Sequence, residues 1–168
     1  PQFQIEADLA TGWKSSPDLK RWSFRIAPGL KDHEGNPITP QDVVTCLEEY
    51  RSGTPRSLVG ANFTLWKSTR LVSSNELEVQ LDEADPYFPK NASLLRYFRW
   101  GQGQKPCSQP QNGAEVVGSG PLRLEKWVAE PRGKLLLIPE NGLKTRGLEL
   151  TFVRDDLTRL LYLLRGAA

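Results

Sequence analysis

"LKDHEGNPITPQDVV", residues 30 to 44, packs a turn, a helix start and the chain's only histidine into one short run. Glu34-Gly35-Asn36-Pro37 is turn chemistry, because Gly and Asn accept a positive φ and Pro fixes the bend that follows. Thr39 then reads as an N-cap. Pro40 takes the first helical position, and the carboxylate of Asp42 sits at the third, near the exposed N–H groups and the positive end of the helix dipole. Val43, Cys46, Leu47 and Tyr50 follow at helical spacing, so one face of this helix is expected to be buried. Asp32, His33 and Glu34 are immediate neighbours whose side chains point in different directions, a poor arrangement for converging on one metal or substrate. His33 is expected at the surface of the turn, with no catalytic role.

Upstream, Pro17-Asp18 marks a turn, after which Trp22, Phe24 and Ile26 alternate with polar residues as in a half-buried strand, ended by Pro28-Gly29. Downstream, Leu71 to Glu76 forms a strand end and turn leading into Leu77, Val79 and Leu81, which alternate with Glu76, Glu78 and Gln80, and this predicts a hairpin. Asp85-Pro86 opens a second helix, in which Leu94, Leu95 and Phe98 are expected to face inward. Residues 101–113, GQGQKPCSQPQNG, are polar and rich in turn formers, a loop that either packs over the surface or reaches toward a partner or ligand. Val116 to Pro121 turns into a strand at Leu122 to Trp127, with Lys134 to Ile138 as its hairpin partner. Leu148, Leu150 and Phe152 alternate as a further strand. Asp155 or Asp156 then caps a last helix carrying Leu157, Leu160, Leu161 and Leu164 on one stripe, with Gly166 as its stop. Strand followed by helix usually calls for another parallel strand, so the fold is expected to be incomplete.

Composition narrows the function. The chain has 168 residues, 38% hydrophobic and 25% charged, which suits one ordinary globular domain or a piece of a larger protein, and the lack of any Met fits a piece. No run approaches the roughly 18 apolar residues that signal a membrane span, and the polar start Pro1 to Asp8 is not a signal peptide. Residues 1–84 carry 9 basic against 12 acidic groups, and residues 85–168 carry 13 against 8. The basic excess is interleaved with Leu, Trp and Glu as on a solvated face, without a nucleic-acid-binding module, so no nucleic-acid partner is expected. The glycines at 101–103 and 118–120 are not followed by the Gly-Lys-Ser/Thr ending of a phosphate loop. One His, no Gly-x-Ser-x-Gly elbow and no Cys beside a plausible base leave nucleophilic catalysis without parts. Cys46 and Cys107 lack the close spacing of zinc or redox motifs; two free buried thiols are the expectation, with a single disulfide as the alternative in an exported protein.

Four blocks in order carry a resemblance to a known family. Residues 9–50, "LATGWKSSPDLKRWSFRIAPGLKDHEGNPITPQDVVTCLEEY", hold Leu9, Ala10, Trp13, Asp18, Trp22, Phe24, Gly29, Gly35, Pro37, Thr39, Asp42 and Val43 at familiar spacing. "SSNELEVQLDEADPYFP", "VVGSGPLRLEKW" and "LTFVRDDLTRLLYLLRG" follow. Together they resemble the family 5 extracytoplasmic solute-binding proteins of peptide and nickel ABC transporters, the oligopeptide- and dipeptide-binding group. Glu34 stands where that family usually has Asp, Leu122 where it has Tyr, and "PENGLKTRGLELTF" lacks its Asn-Pro-x-Tyr-Trp.

The resemblance implies an α+β fragment of a two-lobed clamshell. Residues 1–115 would be mainly the extra α+β subdomain of the first lobe and residues 116–168 part of the α/β first lobe, with the second lobe absent. It implies a non-enzymatic, monomeric component of an ABC importer in the periplasm or on the outer face of the cytoplasmic membrane. Such a component would close on a peptide-like or other small solute and hand it to the membrane permease, without a cofactor or metal. It also places Phe98, Arg99, Trp100, Gly118, Ser119 and Gly120 toward the ligand cleft. There an arginine can pair with a carboxylate, a tryptophan offers stacking area, and the Gly-Ser-Gly backbone exposes N–H groups. The rival expectation is a protein-interaction or chaperone-like module that keeps the scaffold without binding ligand.

Overall fold

In the computed structural model, which describes residues 4–52, 63–100, 103–108, 116–128, 134–140, 147–152, 155, 160 and 164, the alternation of Trp22, Phe24 and Ile26 does form a strand. The chain divides into two units, Pro1–Ser119 and Gly120–Ala168. The first contains β1 (Ala10–Ser15), β2 (Arg21–Ile26), α1 (Pro40–Ser52), β3 (Trp66–Ser73), β4 (Glu76–Leu81), α2 (Phe88–Ala92), β5 (Phe98–Trp100) and β6 (Val116–Gly118). The second contains β7 (Leu122–Val128), β8 (Lys134–Pro139) and β9 (Leu148–Thr151).

Strands β1 to β4 make one antiparallel sheet in the order β1-β2-β4-β3. β4 is central because its odd residues are all apolar: Leu77, Val79 and Leu81 are each only 1% exposed, while Glu76, Glu78 and Gln80 take the other face. Register puts Phe24 opposite Leu77 and Leu77 opposite Leu71, so one apolar row crosses three strands. On the other face the charges pair across strands, Lys14 to Glu76 at 3.0 Å and Arg70 to Glu78 at 2.8 Å. Phe63, Trp66 and Phe88 close the core edge to face, with centroids 5.3 to 6.0 Å apart.

Helix α1 starts as its sequence requires. Thr39 Oγ1 accepts the Asp42 N–H at 3.1 Å, and the Asp42 carboxylate accepts the Thr39 N–H at 2.8 Å, a reciprocal cap. Val43, Val44 and Cys46 then face the core. Glu48 fastens the helix to the sheet, its Oε1 accepting the Thr69 N–H of β3 at 2.6 Å. Thr39→Ala removes one partner of the cap and is expected to cost about 1 kcal/mol, read from urea midpoints at unchanged slope.

The second helix needs correction. The second helix is a short one that ends at Ala92, with Phe88 and Pro89 as its buried residues. Leu94 lies beyond it and is 47% exposed, and Phe98 belongs to strand β5. The reason is local: Pro89 suits only the first turn, and five residues cannot carry an inward face as far as Phe98.

In the second unit the expected hairpin is present, β7 with β8, and β9 pairs antiparallel to β8. Leu160 and Leu164 are helical, whereas Leu157, Leu161 and Gly166 of the expected last helix lie outside the described residues. Among the described residues no helix is long and apolar enough to cross a membrane.

Candidate functional site

Four of the six residues singled out from sequence, Phe98, Arg99, Trp100 and Gly118, meet on a small ribbon. β5 and β6 pair antiparallel, with Phe98 opposite Gly118, Arg99 opposite Val117 and Trp100 opposite Val116. Ser119 follows directly and is half-buried; Gly120 is exposed and opens the second unit. Neither strand has the length or alternation to fold alone, so something else must hold the ribbon. The stretch 30–46 does so through three contacts.

The first bracket is the turn. Asp32 is buried, at 6% exposed, and organises residues 31–37 from within. Its Oδ1 accepts the N–H groups of Glu34 at 3.0 Å and Asn36 at 2.9 Å, and its Oδ2 accepts from the Asn36 amide at 3.2 Å. Gly35 takes φ +84°, the left-handed conformation that favours glycine at this bend. The turn then presents the His33 N–H to the Gly118 carbonyl at 2.9 Å. The His33 ring lies near enough that a Cβ on residue 118 would stand 3.2 Å from its Cε1, a tight contact to which the ring would have to give by a few tenths of an ångström. His33 is a turn residue, as expected, and half-buried where it meets β6. Its neighbours Asp32 and Glu34 turn to other tasks, as adjacent side chains must.

The second bracket is ionic. Arg99 sends Nη2 to the Asp42 carboxylate at 3.3 Å and Nε to the Tyr97 hydroxyl at 2.6 Å, with its side chain only 16% exposed. Asp42 thus serves both the helix cap and the ribbon. Burial works against the Arg99 charge, but the hydrogen bond to Tyr97 and the carboxylates of Asp42 and Asp32 outweigh it and hold the pKa above its ordinary value. Burial pushes the Tyr97 phenol up, the neighbouring Arg99 offsetting part of that rise.

The third bracket is covalent. Cys46 of α1 and Cys107 form a disulfide, with Cα atoms 4.8 Å apart. This overturns the expectation of two free thiols: burying Cys46 on the helix face brings it under the loop after β5, and spacing in sequence says nothing about that approach. Cys107 donates its N–H to the Phe98 carbonyl at 2.9 Å, and the Tyr50 hydroxyl reaches the Arg96 carbonyl at 3.0 Å. Lys105 in the same loop pairs with Glu49 of α1. Most of residues 101–113 lies outside the described residues, but 103–108 is packed onto α1.

The resemblance singles out residues of both ribbon strands, but neither the ribbon nor its supports is readable from the sequence. Asp32, Tyr97 and the Arg99–Asp42 pair were the hidden parts. An Asp two residues before one backbone N–H and four before another is the one local signal that was available. Among the described residues no group of His, Cys, Asp and Glu could hold a metal ion.

The sequence and the fold both have known relatives. The chain is 23% identical over 175 residues to a probable D,D-dipeptide-binding periplasmic protein, DdpA, of Escherichia coli (strain K12), covering 96% of this chain and 33% of that protein. It is 22% identical over 140 residues to the oligopeptide-binding protein OppA of Bacillus subtilis (strain 168), covering 73% of this chain and 26% of that one. Among solved structures, NikZ from Campylobacter jejuni, in complex with Ni(L-His), superposes with a TM-score of 0.73 at 19% identity, over 98% of this chain and 34% of its own. The α+β fold is that of periplasmic binding proteins, of which this chain spans about a third of the length. The model of bacterial extracellular solute-binding proteins, family 5 (middle part), matches residues 4–138. With most of its length inside that match, the chain belongs to the family 5 bacterial extracellular solute-binding proteins.

Proposed function

We propose that this chain is part of the solute-binding component of an ABC importer, acting in the periplasm or on the outer face of the cytoplasmic membrane. It takes a peptide-like or other small solute and presents it to the membrane permease. The observation that carries this reading is the family match over residues 4–138, joined to a ribbon paired at residues 98–100 and 116–118. In this reading residues 1–115 are mainly the extra subdomain and residues 116–168 belong to the α/β first lobe, the second lobe being supplied by a longer protein. The protein works as a monomer and performs no catalysis: ligand is captured by hinge closure, and affinity comes from contacts made better in the closed state.

Phe98, Arg99, Trp100, Gly118, Ser119 and Gly120 form this chain's share of the ligand surface. A guanidinium has five N–H donors in a planar fork, so pairing with Asp42 and Tyr97 through Nη2 and Nε still suits Arg99 to a carboxylate or peptide carbonyl. The shared charge favours a small polar ligand over a strongly anionic one, because Asp42 already offsets part of it.

Calorimetry of the full-length protein against a panel of di- and tripeptides tests the assignment. Arg99→Ala and Trp100→Ala are each expected to weaken binding about tenfold or more, a loss of about 1.4 kcal/mol. Unchanged affinity in both variants, with the far-ultraviolet spectrum intact, would sink it.

A further inference from the structure

The disulfide sits where it can do more than staple the fold. Cys46 is buried on α1 at 3% exposed, while Cys107 is half-buried in the loop and holds φ +55°, a left-handed conformation that a residue with a side chain rarely adopts. The same residue donates its N–H to the Phe98 carbonyl, on the ribbon itself. Cys107 is thus tied at two points, its Sγ to α1 and its N–H to β5. On the far side of the ribbon the His33 N–H holds the Gly118 carbonyl without covalent help.

We propose that the Cys46–Cys107 disulfide is a redox-sensitive clamp that sets the order of the β5–β6 ribbon. An external dithiol opens it. A thiolate of that dithiol attacks the more accessible sulfur of Cys107; the S–S bond breaks, Cys46 leaves as a thiolate and takes up a proton, and a mixed disulfide remains on Cys107. The second thiol of the reductant resolves it, so two electrons and two protons pass to the protein and the dithiol departs as its own disulfide. Cys107 is then released from α1, its left-handed backbone relaxes, and the bond to Phe98 is lost. Any consequence for solute capture rests on the ligand-facing reading of the ribbon given above.

The test is amide hydrogen exchange on the full chain, oxidised and after dithiol treatment, with thiol titration confirming two free cysteines. Exchange at residues 98–100 and 116–118 is expected to accelerate about tenfold or more, while Trp22, Phe24, Leu77 and Val79 in the four-stranded sheet change much less. Cys46→Ala/Cys107→Ser should reproduce the reduced pattern and no longer respond to the dithiol. Unchanged exchange at the ribbon once both thiols are free would overturn the proposal. Equal acceleration throughout the large sheet would overturn it too, because the bond would then act on global stability alone. If the ribbon loosens and affinity for the peptide panel stays constant, the clamp stands and the ligand-facing reading fails.

Discussion

Asp42→Ala is expected to destabilise the protein by about 2–3 kcal/mol, more than any other single change on the surface of α1. Two losses combine. The carboxylate accepts the Thr39 N–H and hydroxyl, both at 2.8 Å, and without it the first turn of α1 loses half of its reciprocal cap, worth about 1 kcal/mol. The same oxygen faces Arg99 Nη2 at 3.3 Å, between side chains only 16% and 25% exposed. A surface pair would contribute little, but removing one member here leaves a largely desolvated guanidinium without its nearest counter-charge, at about 1–2 kcal/mol. Asp42→Asn keeps an acceptor for the cap and removes the charge, so it should recover about half of the loss. Urea unfolding of both variants, and of each combined with Arg99→Ala, separates the two terms. A coupling energy near zero between positions 42 and 99 would show that the ion pair does not hold the ribbon.

That pair shows what the sequence could and could not disclose. The cap of α1 was legible because all its parts lie within four residues, Thr39 to Asp42, and the chemistry of a helix start is local. The hairpin β3–β4 was legible from alternation, and so was β2. Strand β1 was not: Ala10–Ser15 reads ATGWKS, with Trp13 as its one large apolar residue, and it is a strand because β2 offers it an edge. β5 is three residues long, and the sequence expectation carries a helical face on to Phe98, since no period can be read from Phe98-Arg99-Trp100 alone. Those residues were nevertheless picked out as a site, through resemblance rather than pattern. What physically makes the ribbon is carried by partners 57 and 61 residues apart in the chain, Asp42 with Arg99 and Cys46 with Cys107. Such contacts follow from the packing of α1 on the sheet, and residue types at a given spacing do not encode them.

Leu77→Ala is expected to have the largest effect of any single substitution, about 3–4 kcal/mol. Leu77 is 1% exposed near the start of β4, a strand with neighbours on both sides, and it faces Phe24 across one register and Leu71 across the other. Truncation removes a buried isobutyl group and leaves a cavity that cannot collapse readily, because β4 is held by backbone ladders to β2 and β3. Leu71 supplies an internal comparison. It sits directly opposite on the edge strand β3, in the same apolar row, but is 39% exposed, so Leu71→Ala loses only part of its transfer free energy and makes no closed cavity. It should cost about 1 kcal/mol or less. Thermal or urea unfolding of the two variants side by side decides the matter. Near-equal losses would mean that the centre of the core does not lie under β4, and the α1 platform that holds the ribbon would then need another foundation.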